Sequence, residues 1–279
     1  MGDIRSVAQR INVFAAKRAA RKYGTSASKI ILAADQIKNM DLDFLGVGSP
    51  KQEKLYFAKD NAGINASLSG EDGILISRGW LYQVAAHPDD EDAKMALKSL
   101  IGHEHAHNIA YWESKFLQSS ADKTVISYLN EVYADITGCQ MAFGDDHDKA
   151  VKAMEWRGPL SQTDQIKHPC NASRTAYVRS GKCFEGVVDE VIAQAEAYIN
   201  RKHPGRDYHF PENLRAEVKS KYPVVTVTRK TDSDHVVQTH AELSASKETK
   251  LSLKEVQNIP RQQEPENSKS ISQKQKLNL

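Results

Sequence analysis

The chain has 279 residues, a formal net charge of +2, 27% charged residues and 40% hydrophobic ones. The near balance of charge excludes the strong basic field of a dedicated nucleic-acid binder, and the length suits one large domain or two small ones. Three cysteines, Cys139, Cys170 and Cys183, are too few and too irregularly spaced for a disulfide framework, which fits a reducing compartment.

In chain order, residues 3–23 (DIRSVAQRINVFAAKRAARKY) place Ile4, Val7, Ile11, Phe14, Ala15 and Ala19 at helical spacing, with basic residues on the other face. Such a helix either packs on its own domain or serves as a membrane-docking or organelle-import segment. A second short helix is expected over 26–40. Residues 54–77 read as strands: KLYFAKD and ASLS, then the turn signal GEDG, then ILIS. From Asp89 the pattern is helical through the stretch GHEHAHNIAYW, with acidic residues in the first turn, where they suit the helix dipole. Another helix is expected from about Asp122 to Phe143, shorter ones at 147–155 and 171–180, and a longer one at about 185–201. VVTVTRK reads as one strand. Residues 244–279 have no aromatic residue and are dominated by Ser, Lys, Gln, Glu and Asn, a composition that predicts disorder. No apolar run approaches the roughly 20 residues that span a bilayer. No integral membrane segment is expected, and no signal-peptide core is visible. The expected location is the cytoplasm, or outside it by export without a conventional signal peptide.

The stretch IGHEHAHN, residues 101–108, concentrates three histidines and a glutamate. His103 and His107 are four apart, so on a helix they point the same way one turn apart and can bind one ion. Glu104 lies beside the first of them, the position from which a carboxylate serves as base to a zinc-activated water. This is the H-E-x-x-H arrangement of zinc metallopeptidases, a five-residue match that unrelated helices also contain. His105 faces another side. A third histidine six residues after the second, as in metzincins, is excluded because position 113 is Glu and position 110 is Ala. The better third ligand is Glu131 in NEVYADITG, on the next long helix. Asp135, one turn further, can accept the free N–H of a ligating histidine and fix its tautomer. A solvated helix face is the competing reading of Glu131 alone.

GILISRGWL, DEDAKMALKSLIGHEHAHN and NEVYADITG together resemble the HtpX and CAAX-prenyl-protease family of gluzincin metallopeptidases. The resemblance extends to IKHPCNASRTAYV, with His168 and Arg174 at the family's six-residue separation, and to INASLSGEDGILIS, which puts Asn65 at the asparagine of the family's edge strand. It covers roughly residues 55–185. His105 stands where relatives have an apolar residue, and Trp80 replaces a leucine; neither removes a catalytic group.

The resemblance implies an α+β, mainly helical zincin-like domain with a small sheet whose edge strand lines the cleft. The expected organisation is an N-terminal helical region (1–45), a metallopeptidase domain (46–222) and a polar tail (223–279). His103, His107 and Glu131 would hold one Zn2+ per chain, and Glu104 would be the general base. His168 or Arg174 would lie near the oxyanion, Arg174 having a structural ion pair as its alternative. Asn65 would meet an extended protein or peptide substrate, or else be a surface residue without a role. The competing function is a zinc-binding regulatory or sensing protein with little turnover.

Overall fold

The computed structural model describes residues 20–22, 24–42, 44, 55–57, 66–68, 73–112, 117, 119–157, 163–230 and 234–239. Most of the basic segment 3–23, all of 244–279, and Asn65 lie outside these residues. Chain contacts separate a unit Met1–Glu242, described below, from a unit Leu243–Leu279 that falls outside the described residues.

The described residues are mostly helical. Helix α1 (Ala27–Leu42) is followed by three short strands, β1 (Leu55–Phe57), β2 (Ala66–Leu68) and β3 (Ile74–Ile76). They form one sheet in the order β1-β3-β2, with β1 parallel and β2 antiparallel to the central β3. Ile74 and Ile76 of β3 are fully buried. Helix α2 (Arg78–Ala86) follows at once, in a stretch between the expected strands and the helix from Asp89 to which the sequence analysis assigns no element. Trp80, Leu81, Val84 and Ala85 make its buried stripe, and the Trp80 ring packs 5.3 Å from that of Trp156.

Two long helices form the centre: α3 (Glu91–Ile109) and α4 (Ser120–Phe143). Each begins on a side-chain cap that accepts one of the otherwise unpaired first-turn N–H groups. Asp90 accepts from Ala93 and Ser119 from Asp122. Residues 99–107 of α3 and 132–139 of α4 are buried without a break, so these helices are covered on all sides rather than along one stripe. Their contact is closest at two glycines. A Cβ on Gly102 would lie 2.5 Å from the carbonyl oxygen of Gly138, and a Cβ on Gly138 would overlap the backbone nitrogen of His103. The two backbones meet with nothing between them, immediately beside the histidine motif.

Behind this pair stand α5 (His147–Trp156), α6 (Asn171–Arg179), a 3-10 turn (Phe184–Gly186) and α7 (Val188–Lys202). They match the helices expected at 147–155, 171–180 and 185–201. Helix α8 (Glu212–Lys221) was not expected. The strand read in VVTVTRK is β4 (Val225–Lys230), and it pairs antiparallel with β5 (Asp234–Thr239). Regular structure therefore continues to Thr239, inside the segment read as tail from 223. No helix among the described residues is long and apolar enough to cross a membrane.

His105 is fully buried and faces away from the other two motif histidines. Its Nε2–H donates to Asp41 of α1 at 2.8 Å, and its ring stacks on Phe44 at 5.3 Å. This histidine ties the motif helix to α1.

Candidate metal centre

Burying polar side chains without partners is costly, yet α3 buries His103, Glu104 and His107 within one and a half turns. Helical spacing puts the His103 and His107 rings edge to face, 4.6 Å apart, with their Nε2 atoms 3.1 Å from each other. Glu131 comes from the facing turn of α4. Its Oε2 lies 3.7 Å from Nε2 of His103 and its Oε1 lies 3.6 Å from Nε2 of His107. Bonds of about 2.0–2.1 Å around a tetrahedral ion would put ligand atoms about 3.3 Å apart. The three edges found here, 3.1, 3.6 and 3.7 Å, bracket that value. His103, His107 and Glu131 form a group that can hold a metal ion.

The surroundings set the charge states such an ion needs. Asp135, one turn beyond Glu131, is buried and takes the Nδ1–H of His103 at 2.8 Å. An ionised carboxylate only accepts, so the His103 proton sits on Nδ1 and the Nε2 lone pair faces the cluster. Burial lowers the His103 pKa despite the opposing pull of Asp135 and Glu131, leaving a neutral imidazole at neutral pH. Burial pushes the Asp135 carboxyl up, but Arg174, His103 and Arg157 outweigh it and hold it well below the ordinary value. Glu131, 24% exposed, is likewise raised by burial and lowered further by Arg174, His107 and His103. Two Nε2 atoms facing at 3.1 Å need a proton or a cation between them, and Nδ1 of His107 has no partner among the described residues. A cation bound by both Nε2 atoms removes the first conflict. The donor set therefore fits a metal.

Arg174, in the first turn of α6, is drawn directly into this arrangement. Its Nε donates to Asp135 Oδ2 at 2.5 Å, and its NH2 group donates to Asp135 Oδ1 at 3.0 Å. The same NH2 lies 3.2 Å from Glu131 Oε2. Of its two expected roles, the geometry displays the ion pair: the guanidinium clamps the ligand carboxylate to the one that orients His103. Arg157, just past α5, adds a bond of 3.1 Å to Asp135 Oδ1. No sequence signal marked Arg157, because it reaches the site only through the packing of α5 on α3. His168 lies in the loop before α6, where its carbonyl accepts from Gln165 N–H. No side-chain bond among the described residues joins its ring to the cluster, so the expected oxyanion role gains no support from its position.

Glu104 is 4% exposed, and its carboxylate makes no hydrogen bond or ion pair to another described residue. It is close enough for its charge to help hold Arg174 protonated, behind Asp135 and Glu131 and against burial, which acts the other way. Among the described residues this nearly buried carboxylate has no hydrogen-bond partner, and it stands next to His103 in the candidate metal group.

No protein-family model, curated protein or solved structure matches the chain. Purified protein is expected to carry one divalent ion per chain, which elemental analysis reads directly. Stripping it with a chelator should lower the melting temperature, since an ion bound only by the folded state stabilises it by mass action. Absence of any stoichiometric metal after reconstitution would exclude the centre.

Proposed function

We propose that the chain is a zinc metalloendopeptidase, a stand-alone relative of the HtpX and CAAX-prenyl-protease gluzincins. The observation that carries this reading is the convergence of His103, His107 and Glu131 with a nearly buried Glu104 on the motif helix that makes no hydrogen bond to another described residue. Imidazole and carboxylate donors with three protein ligands suit a catalytic zinc, which leaves a position open. A zinc ion there lowers the pKa of a bound water to about 7 and polarises a carbonyl.

The chain's own residues supply the rest. Glu104 accepts the proton of the attacking water at its carboxylate and returns it to the leaving amine. Asp135 keeps His103 in the tautomer whose lone pair faces the ion. Arg174 fixes the Glu131 carboxylate against rotation through their ion pair. Strand β2 is an edge of its sheet and packs near α3. An extended peptide adding to that edge would bring its backbone along the site, with Asn65 immediately before the strand.

Glu104→Gln tests the reading. The variant is expected to bind zinc as the wild type does and to lose at least about 10²-fold in peptide hydrolysis, the lower end for a positioned general base. Fluorogenic peptides and a zinc titration measure the two quantities. A regulator that merely holds zinc would show no hydrolysis in either protein, and its zinc-dependent behaviour would survive the substitution.

A further inference from the structure

The chain leaves α3 at Ala110, whose φ of −149° and ψ of 122° are extended. The next residue, Tyr111, is a large aromatic that is 57% exposed. Isolated exposed apolar residues need no explanation, but this one is unlike the other exposed large hydrophobics. Its ring meets the His107 ring edge to face, with centroids 5.6 Å apart and planes at 79°. It stands in van der Waals range of a metal-ligating imidazole while keeping most of its surface open.

Its backbone is held on both sides. The Ala110 N–H closes the last turn of α3 on Ala106. On the other side Trp112 is bonded twice to one side chain: its N–H donates to Asn130 Oδ1 at 3.1 Å, and its carbonyl accepts from Asn130 Nδ2 at 3.1 Å. Asn130 therefore pairs with Trp112 as a neighbouring strand would. The Tyr222 hydroxyl donates to the same Oδ1 at 2.6 Å and locks the amide orientation. Asn130 is also the residue before Glu131. One turn of α4 thus positions both a metal ligand and the segment carrying the exposed ring.

A ring with an open face on a backbone held at both sides loses little side-chain freedom when it is covered. Resting on the peptidase reading above, we infer that Tyr111 is the residue that selects the substrate side chain next to the scissile bond. The geometry points to a large apolar side chain, aromatic by preference, lying on the open face of the ring. Asn130 is a positioning residue for this contact. The ring, rather than the hydroxyl, does the selecting, because the ring is what touches His107.

The experiment uses the zinc-loaded full chain and a quenched-fluorescent peptide library varied on either side of the cleaved bond. Wild type is expected to prefer Phe, Tyr or Leu over Ala at one of those positions by on the order of tenfold in kcat/KM. Tyr111→Ala should erase that preference mainly through KM, and Tyr111→Phe should retain it, with zinc content unchanged in both. A second readout is anisotropy of a labelled Phe-containing peptide on the zinc-loaded Glu104→Gln protein, with and without Tyr111→Ala. Binding should weaken on the order of tenfold when the ring is removed. Unchanged preference and binding in Tyr111→Ala overturns the assignment alone. A Tyr111→Phe variant that loses the preference as fully as Tyr111→Ala assigns the role to the hydroxyl and overturns it also. Absence of hydrolysis in wild type and of binding in Glu104→Gln overturns both this assignment and the peptidase reading.

Discussion

Gly138→Val is expected to yield no stably folded protein. An added Cβ at that position meets the backbone of Gly102 and His103, not the end of a side chain that can rotate away. Overpacking a core costs about 1–3 kcal/mol when neighbouring side chains can adjust. Here the helices α3 and α4 must separate, so the cost should exceed about 4 kcal/mol, a large part of the whole stability of a typical domain. Gly102→Ala and Gly138→Ala give a graded version, because each adds one methyl at the same crossing. Both should lower the urea midpoint strongly, and any folded fraction should hold metal weakly, since Glu131 moves away from His103 and His107. A midpoint within experimental error of wild type for either alanine variant would mean that the helices do not cross at these glycines.

Arg174→Met should have the next largest effect. It removes the guanidinium that bridges Asp135 and Glu131, leaving a buried Asp135 carboxylate with His103 and Arg157 as its remaining partners. Breaking a buried charge pair from one side costs about 3–5 kcal/mol. Arg174→Lys should recover only part, because an ammonium cannot present two donors in the fixed fork that Arg174 uses on Asp135. Urea unfolding and zinc titration check this, with both stability and affinity expected to fall. If Arg174→Met kept both and lost only the rate of hydrolysis, the residue would belong to the oxyanion contact and not to the clamp. Asp135→Asn belongs in the same series. It retains the shape but reverses part of the hydrogen bonding to His103 and the arginines, and metal affinity or activity should drop about 10–100-fold.

The sequence carried the centre of the molecule well and its edges poorly, for a physical reason. α3 and α4 announce themselves through local signals: acidic residues in a first turn, apolar residues at helical spacing, and an i,i+4 histidine pair. Glu131 and Asp135 could be placed on the site side because they share a face of a helix expected to pack on the motif helix. What was missed depends on partners distant in the chain. β5 exists because β4 pairs with it, and DHVVQT alone resembles a polar segment. The α2 stripe of Trp80, Leu81, Val84 and Ala85 is too short for its spacing to stand apart from the preceding strand. Gly102 and Gly138 are ordinary glycines until the two helices are laid against each other. His105 looked like a departure from the motif, and only Asp41 and Phe44 of α1 and the turn after it give it a task.

The attachment of Tyr222 and Pro223 to α4 also has a consequence in time. Every residue of the metal centre is synthesised by position 174, but the supports of α4 arrive later. The Tyr222 hydroxyl bonds Asn130 across 92 positions of chain, and the Pro223 carbonyl accepts from the Tyr133 hydroxyl across 90. On a ribosome that makes the chain from its N-terminus, the ligand-bearing turn of α4 lacks these two braces until Tyr222 and Pro223 emerge. A nascent chain therefore already contains all three metal ligands while lacking the braces of the turn that presents Glu131 and steadies Tyr111. This order delays a fully braced site until most of the folded unit has been made.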